Sequence, residues 1–207
     1  MSATVEPGEV AVLERCLSVG GVAVFPSDTV YGLACDPGHR EAHRRLCAMK
    51  GRDPGQPCAV MFFSMERALD SLPELGPRTH GALEALLPGP VLALLDNPAA
   101  RFPLACGADT ATLGIRVPAL PPATSALAEM GWPVLQTSAN LSAGPDPASI
   151  EEVPASIRDE ADLVIDAGEL PGVPSTVVDL RGYEFEGAFS VLREGAVSPD
   201  EIAERLA

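Results

Sequence analysis

The chain has 207 residues, 46% apolar, 4% aromatic and 21% charged, with 14 basic against 29 acidic residues and a formal charge of −15. It is long enough for one domain with a real core, too apolar for a disordered chain, and too acidic for a surface that wraps nucleic acid. Thirteen of the 14 basic residues are arginines, so the one lysine, Lys50, stands out.

Along the chain, Glu9 to Val19 places Val10, Leu13 and Leu17 on one helical face and stops at Gly20-Gly21. Val22 to Phe25 reads as a short buried strand. His39 to Lys50 reads as a helix ended by Gly51, and Arg78 to Leu87 as a helix closed by Pro88-Gly89-Pro90. Cys58 to Phe63 and Val91 to Leu95 are apolar runs of interior-strand type. Further strands are expected at Thr112 to Val117, Val134 to Thr137, Leu163 to Ile165, Thr176 to Leu180 and Phe189 to Leu192. The last helix starts with Ser198 as N-cap, Pro199 in the first turn and Glu201 three residues after the cap. Ser142 to Pro154, rich in Pro, Ser and Ala, reads as a long loop of the kind that covers sites, and the acids of 159–162 as a solvated helix face. Strands and helices interleave without a repeat, so the expected class is α/β with a twisted mixed β-sheet flanked by helices and a ligand cleft. The expected domain is a single one over residues 9–202.

Five cysteines (Cys16, Cys35, Cys47, Cys58 and Cys106) include no CxxC pair, which argues against a disulfide framework and a zinc ribbon. Cys35, His39, His43 and Cys47 are spaced by four; a zinc site would suit that spacing, but buried thiols and surface histidines explain it more simply. No metal ligand is expected from protein side chains. The opening MSATVEPGEV has no basic n-region or apolar h-region, and no apolar run approaches the ~18 residues of a membrane span. The expectation is a cytoplasmic protein with reduced thiols and no membrane partner.

Four places carry polar groups that a plain α/β core does not need. In Phe25 to Leu33, an extended chain sets Ser27, Thr29 and Tyr31 on one side, framed by Pro26 and Gly32. Lys50-Gly51-Arg52 follows Arg40, Arg44 and Arg45, so five of the 14 basic residues fall within 40–52 of an acidic chain. That cluster fits either a helix C-terminus or a small anion. In Thr112 to Val117, alternation puts Thr112, Gly114 and Arg116 on one face, and a mid-strand arginine needs an anionic partner, structural or substrate. Gln136 to Asn140 brings a hydroxyl and an amide to a strand end, where they can hold a ligand or cap a turn. No GxxxxGK[ST], GxGxxG or GxSxG occurs, so P-loop, dinucleotide and nucleophile-elbow readings have no support.

The ordered segments PSDTVYGL, KGR, LLPGPV, TLGIRVP, TSANLSAG, PSTVVDL and LREGAVS resemble the YrdC/Sua5 family over roughly Glu9 to Ile202, in its short YrdC form. The resemblance implies a YrdC-like fold. It also implies a nucleotidyltransferase that makes threonylcarbamoyl-adenylate and pyrophosphate from L-threonine, bicarbonate and ATP. The product feeds a tRNA threonylcarbamoyltransferase complex that modifies the adenosine beside the anticodon. By position the resemblance assigns Arg52, Thr112, Asn140 and Arg193 to ATP and Thr29, Arg116, Ser138 and Ser175 to L-threonine. It makes Lys50 and Arg52 the catalytic pair in the cleft, with Mg²⁺ accompanying ATP. The chain departs from the family pattern at Asp53, at Gln56 where a lysine is usual, at Met61 where a histidine is common, and at Glu194. Fewer cations near the phosphates imply weaker ATP binding, each missing exposed charge costing about 1 kcal/mol. The departures leave two alternatives: a YciO-type or carbamoyl-transfer paralogue with another acceptor, and a non-catalytic RNA or nucleotide binder. The charge of −15 argues against direct RNA binding.

Overall fold

The computed structural model describes residues 4–207; the start of the segment MSATVEPGEV lies outside that range. The helices are α1 (Pro7–Ser18), α2 (Arg40–Lys50), α3 (Met65–Asp70), α4 (Pro77–Leu86), α5 (Pro103–Cys106), α6 (Ala155–Glu160), α7 (Tyr183–Glu186) and α8 (Pro199–Arg205). The strands are β1 (Ala23–Pro26), β2 (Tyr31–Cys35), β3 (Ala59–Met61), β4 (Val91–Asp96), β5 (Thr112–Arg116), β6 (Val134–Ser138), β7 (Leu163–Val164), β8 (Thr176–Asp179) and β9 (Ser190–Arg193). Among the described residues these form one mixed sheet in the order β7-β1-β2-β6-β3-β5-β4-β8-β9. The expected α/β class and most of its elements hold within a residue or two. No described helix is long and apolar enough to cross a membrane.

Strand β2 is not evident from sequence. All five of its residues are buried, so it shows no inside–outside alternation, and it carries a glycine. Gly32 is needed there, because a Cβ would stand 3.0 Å from the Phe25 ring across the β1–β2 pair. The short helix α3 is equally unexpected; its start rests on Ser64, whose Oγ accepts from the Arg67 amide.

The strands divide their side chains between two cores. On one face, Val60, Ala93, Leu95, Leu113, Ile115, Leu135 and Val178 meet α2, α4 and α8 through Ala42, Leu46, Leu83, Leu86 and Ile202. On the other, Ala23, Phe25, Ala34, Met61 and Val134 meet α1 through Val10, Leu13 and Leu17, with Leu127 of the 3₁₀ segment 122–129 beside them. That second cover spans only the β1–β2 half of the sheet. Met61 of β3 marks its limit; farther along the same face, Ala59, Gly114, Leu92, Leu94 and Val177 line a cavity instead.

Helix α2 leads into Arg52 at the cavity. His39 caps its start, the ring Nδ1 accepting from the Ala42 amide at 3.1 Å. Gly51, at φ +60°, reverses the chain at its end, with the amides of Gly51 and Arg52 closing on Ala48 and Cys47. His43 is buried with its Nε2 3.4 Å from the Cys47 sulfur. The spacing by four therefore serves a cap and a packed helix face, and no group of three possible metal ligands assembles among the described residues. All five cysteines are free.

Candidate active site

A cavity of about 510 Å³ opens over the uncovered face. Its floor is apolar: Ala59, Leu92, Leu94, Gly114 and Val177. The register aligns Ala59 with Gly114, Gly114 with Leu94, and Leu92 with Val177, so these residues form one continuous patch. Four arginines from separate parts of the chain stand on its rim: Arg52 after α2, Arg116 of β5, Arg181 after β8 and Arg193 of β9.

Arg116 ends β5 and is 4% exposed. Its Nη2 donates to Asp28 Oδ1 at 2.5 Å, while Asp28 Oδ2 accepts from the Ala119 amide at 3.0 Å. Burial and nearby Arg193 lower its pKa, and Asp28 opposes them. Its Nε is buried without a partner. Beside it, Arg193 donates to the Ser175 carbonyl at 2.8 Å, and Ser175 Oγ is likewise buried without a partner. Gly195 permits this arrangement, since a Cβ there would sit 2.2 Å from the Pro174 carbonyl oxygen. Thr29 reaches the wall from the β1–β2 turn, with its Oγ1 3.2 Å from Ser27 Oγ. Arg116, Arg193, Ser175 and Thr29 thus bring fixed positive charge and hydroxyls together at this end, which suits a small anion with polar appendages.

Arg52 donates from Nη1 to Thr137 Oγ1 at 3.0 Å and from Nη2 to the Pro57 carbonyl, and its Nε is also unpartnered. Lys50 differs from the expectation that it faces the cleft. Its ammonium donates to the carbonyls of Ser138 and Asn140 and to Asn140 Oδ1, the last two at 2.7 Å. It is 3% exposed and does not reach the cavity wall. Burial, with Arg52 nearby, pushes its pKa down to about 8. Asn140 is behind the wall as well. Its Oδ1 also accepts from Ser138 Oγ at 2.7 Å, and its Nδ2 donates to the Gly144 carbonyl at 2.6 Å. Lys50 and Asn140 thus hold the Ser138 turn rather than line the cavity.

The far end is built by Thr112, Asp109 and Arg181. Arg181 is clamped by Asp179, Nε to Oδ1 at 2.9 Å and Nη2 to Oδ2 at 2.6 Å, and its Nη1 lies 3.3 Å from Thr112 Oγ1. The loop after Arg52 closes the side: the Ala108 amide donates to the Gly55 carbonyl at 2.9 Å. Gly107, at φ +65°, allows that approach, because a Cβ would fall 2.3 Å from the same oxygen.

Of the residues singled out from sequence, the cavity gathers Thr29, Arg52, Thr112, Arg116, Ser138, Ser175 and Arg193. It does not gather Tyr31, which starts β2 and sends its hydroxyl to Gly168 and Asp166 instead. The basic cluster of 40–52 also disperses: Arg44 pairs with Glu41 and Arg45 with Asp162 on the outside, leaving Arg52 alone at the rim. The long loop 142–154 contributes Asp146 to the wall, and its start is tied down by the Ser142 amide bonded to the Lys50 carbonyl. Arg181 is the wall residue that sequence reasoning does not single out; extending the alternation of Ser175, Val177 and Asp179 by one more step reaches it. Two of the departures from the family pattern have local explanations. Asp53 Oδ1 accepts from the Gly55 amide at 2.8 Å and shapes the turn, and Met61 is wholly buried in the second core.

A family model described as Sua5_yciO_yrdC, telomere recombination, matches residues 15–195. A putative threonylcarbamoyl-AMP synthase of Mycobacterium tuberculosis is 33% identical over 195 residues, 92% of this chain and 85% of that protein. The threonylcarbamoyl-AMP synthase of Chromohalobacter salexigens is 35% identical over 178 residues, 84% of this chain and 92% of that one. Among solved structures, Pyrococcus abyssi Sua5 complexed with L-threonine superposes with a TM-score of 0.84 at 27% identity, covering 97% of this chain and 58% of that one. Escherichia coli YciO superposes with a TM-score of 0.81 at 25% identity, covering 97% and 96%.

Proposed function

The chain belongs to the Sua5/YciO/YrdC family, and on that footing we propose that it is a threonylcarbamoyl-AMP synthase acting on L-threonine, bicarbonate and ATP. The observation that carries this reading is the arginine-rimmed cavity with an apolar floor, whose wall includes Arg116 and Ser175, each with a buried polar atom that no protein group satisfies. One end suits an amino acid, and the remaining length suits a nucleotide.

In the reaction, the threonine amine forms an N–C bond to bicarbonate carbon with loss of water. A carbamate oxygen then attacks the α-phosphorus of ATP, and the α–β bond breaks to release pyrophosphate. Carbamate and triphosphate are both anions, so the site must supply fixed positive charge and orientation rather than a nucleophile. Arg116, anchored on one side by Asp28, offers its free Nε to the threonine carboxylate. Thr29, Ser138 and Ser175 read the hydroxyl and amine. Arg52 and Arg193 hold the phosphates, and Thr112 the nucleoside. Lys50 and Asn140 serve as positioning residues that fix Ser138. Mg²⁺ would enter with ATP, neutralising phosphate charge, with Asp146 and Asp109 as the carboxylates on the wall. The product would pass to a tRNA threonylcarbamoyltransferase complex in the cytoplasm.

Incubation of the full chain with ATP, bicarbonate and Mg²⁺ should release pyrophosphate only when L-threonine is added. Release that ignores threonine, or responds equally to other amino acids, would sink the reading.

A further inference from the structure

The two ends of the cavity differ in charge. Beside Arg116 stands Arg193, with Asp28 as the carboxylate paired to Arg116, while Arg52 holds the β3–β6 side of the wall through Thr137 and Pro57. At the other end a single guanidinium, Arg181, is surrounded by Asp179, Asp109 and Asp96. Asp179 clamps it, and Asp109 accepts from Thr112 Oγ1 at 2.8 Å. Asp96 accepts from the adjoining Gly182 amide at 2.7 Å. That end repels phosphate, although it holds an arginine.

The hydrogen bonds of Arg181 run along its edge, to Asp179 and Thr112. A guanidinium donates only in its own plane, so its face is what remains for the cavity. Opposite in the sheet, Leu94 stands level with Asp179 and with Gly114, which has no side chain to fill the space. At this end the lining thus combines a guanidinium with the aliphatic surface of Leu92 and Leu94.

Resting on the synthase reading for the presence of a nucleotide, we propose that Arg181 is the specificity residue for the purine base. Its guanidinium face stacks on the ring while Asp179 and Thr112 hold its plane. The nucleotide then lies with its base at Arg181 and its phosphates toward Arg52 and Arg193.

The test is calorimetric titration of the full chain and of Arg181→Ala and Arg181→Lys with AMP and, separately, with inorganic pyrophosphate. A thermal melt of each variant checks folding. Both substitutions should weaken AMP about five- to tenfold, as removal of a partly exposed cation–π interaction implies, and leave pyrophosphate unchanged. Equal weakening of both ligands would overturn the proposal, because Arg181 would then be a phosphate contact. Full AMP affinity in Arg181→Lys would overturn it too, since charge rather than the planar face would be at work. Unchanged AMP binding in both variants would leave Arg181 a structural ion pair and overturn it as well. Base-selective weakening in a protein that releases no threonine-dependent pyrophosphate would retain the base seat and sink the synthase reading.

Discussion

Replacing Lys50 with methionine keeps the length of the side chain and removes its three donors. The carbonyls of Ser138 and Asn140 and the Asn140 side-chain oxygen would then be left short of a buried partner. Asn140 Oδ1 keeps the Ser138 hydroxyl as donor, so the two carbonyl deficits at about 1–3 kcal/mol each come to roughly 2–6 kcal/mol before relaxation. Against that, methionine removes a buried ammonium whose pKa has fallen from 10.5 to about 8, a displacement worth about 3 kcal/mol. The net expectation is a destabilisation of up to about 3 kcal/mol, or a melting-temperature drop of up to roughly 10 °C for a chain of this size. The pH dependence carries a second signature. Between pH 8 and 10.5 the unfolded state holds the Lys50 proton more tightly than the folded state does, so the unfolding free energy rises with pH across that window. Subtracting the methionine variant's profile from that of the wild-type protein should isolate this rise. Because Lys50 acts through Ser138 and Asn140, the variant should also lose threonine-dependent pyrophosphate release, with the KM for threonine raised. Denaturation melts from pH 7 to 10.5, run beside the pyrophosphate assay, make the measurement. A methionine variant whose stability matches the wild-type protein at every pH from 7 to 10.5, with kcat abolished, would refute the reasoning, because Lys50 would then act on substrate directly.

Arg116→Gln leaves Asp28 buried without its guanidinium, and urea denaturation should show about 3–5 kcal/mol of lost stability together with a sharply raised KM for threonine. Gly195→Ala puts a Cβ 2.2 Å from the Pro174 oxygen; the expected outcome is about 1–3 kcal/mol of destabilisation and a higher KM for both threonine and ATP, read from steady-state kinetics. Tyr31→Phe deletes a hydroxyl that donates to the Gly168 carbonyl at 2.7 Å and accepts from the Ala167 amide at 3.0 Å. A thermal melt should show a destabilisation of about 1–3 kcal/mol while kcat stays near that of the wild-type protein.

Local chemistry made much of this protein legible. The alternation of Thr112 to Val117 assigned Thr112, Gly114 and Arg116 to one face, and that face is the cavity wall, because strand geometry leaves a side chain only two directions. Gly51 and Ser198 marked helix ends through backbone requirements that depend on few neighbours. Strand β2 escapes notice because burial on both faces erases the alternation by which strands are read. Charge was the least legible property. Five cations close together in 40–52 suggest one site, yet a helix turns each to a different direction, and only Arg52 faces the cavity.

The lone lysine shows where the boundary falls. The sequence by itself determined that Lys50 ends a helix, beside Gly51 and two residues before Arg52. It also determined that the chain's positive charge is scarce, at 14 basic residues against 29 acidic. Only the tertiary structure decided where the charges point. The sheet brings Ser138 and Asn140 of a strand end nearly ninety positions away against Lys50, and their three oxygens capture its ammonium. It likewise draws Arg52, Arg116, Arg181 and Arg193 from separate parts of the chain onto one rim. A side chain's direction is set by the partners that satisfy it, and those partners are neighbours in space before they are neighbours in sequence.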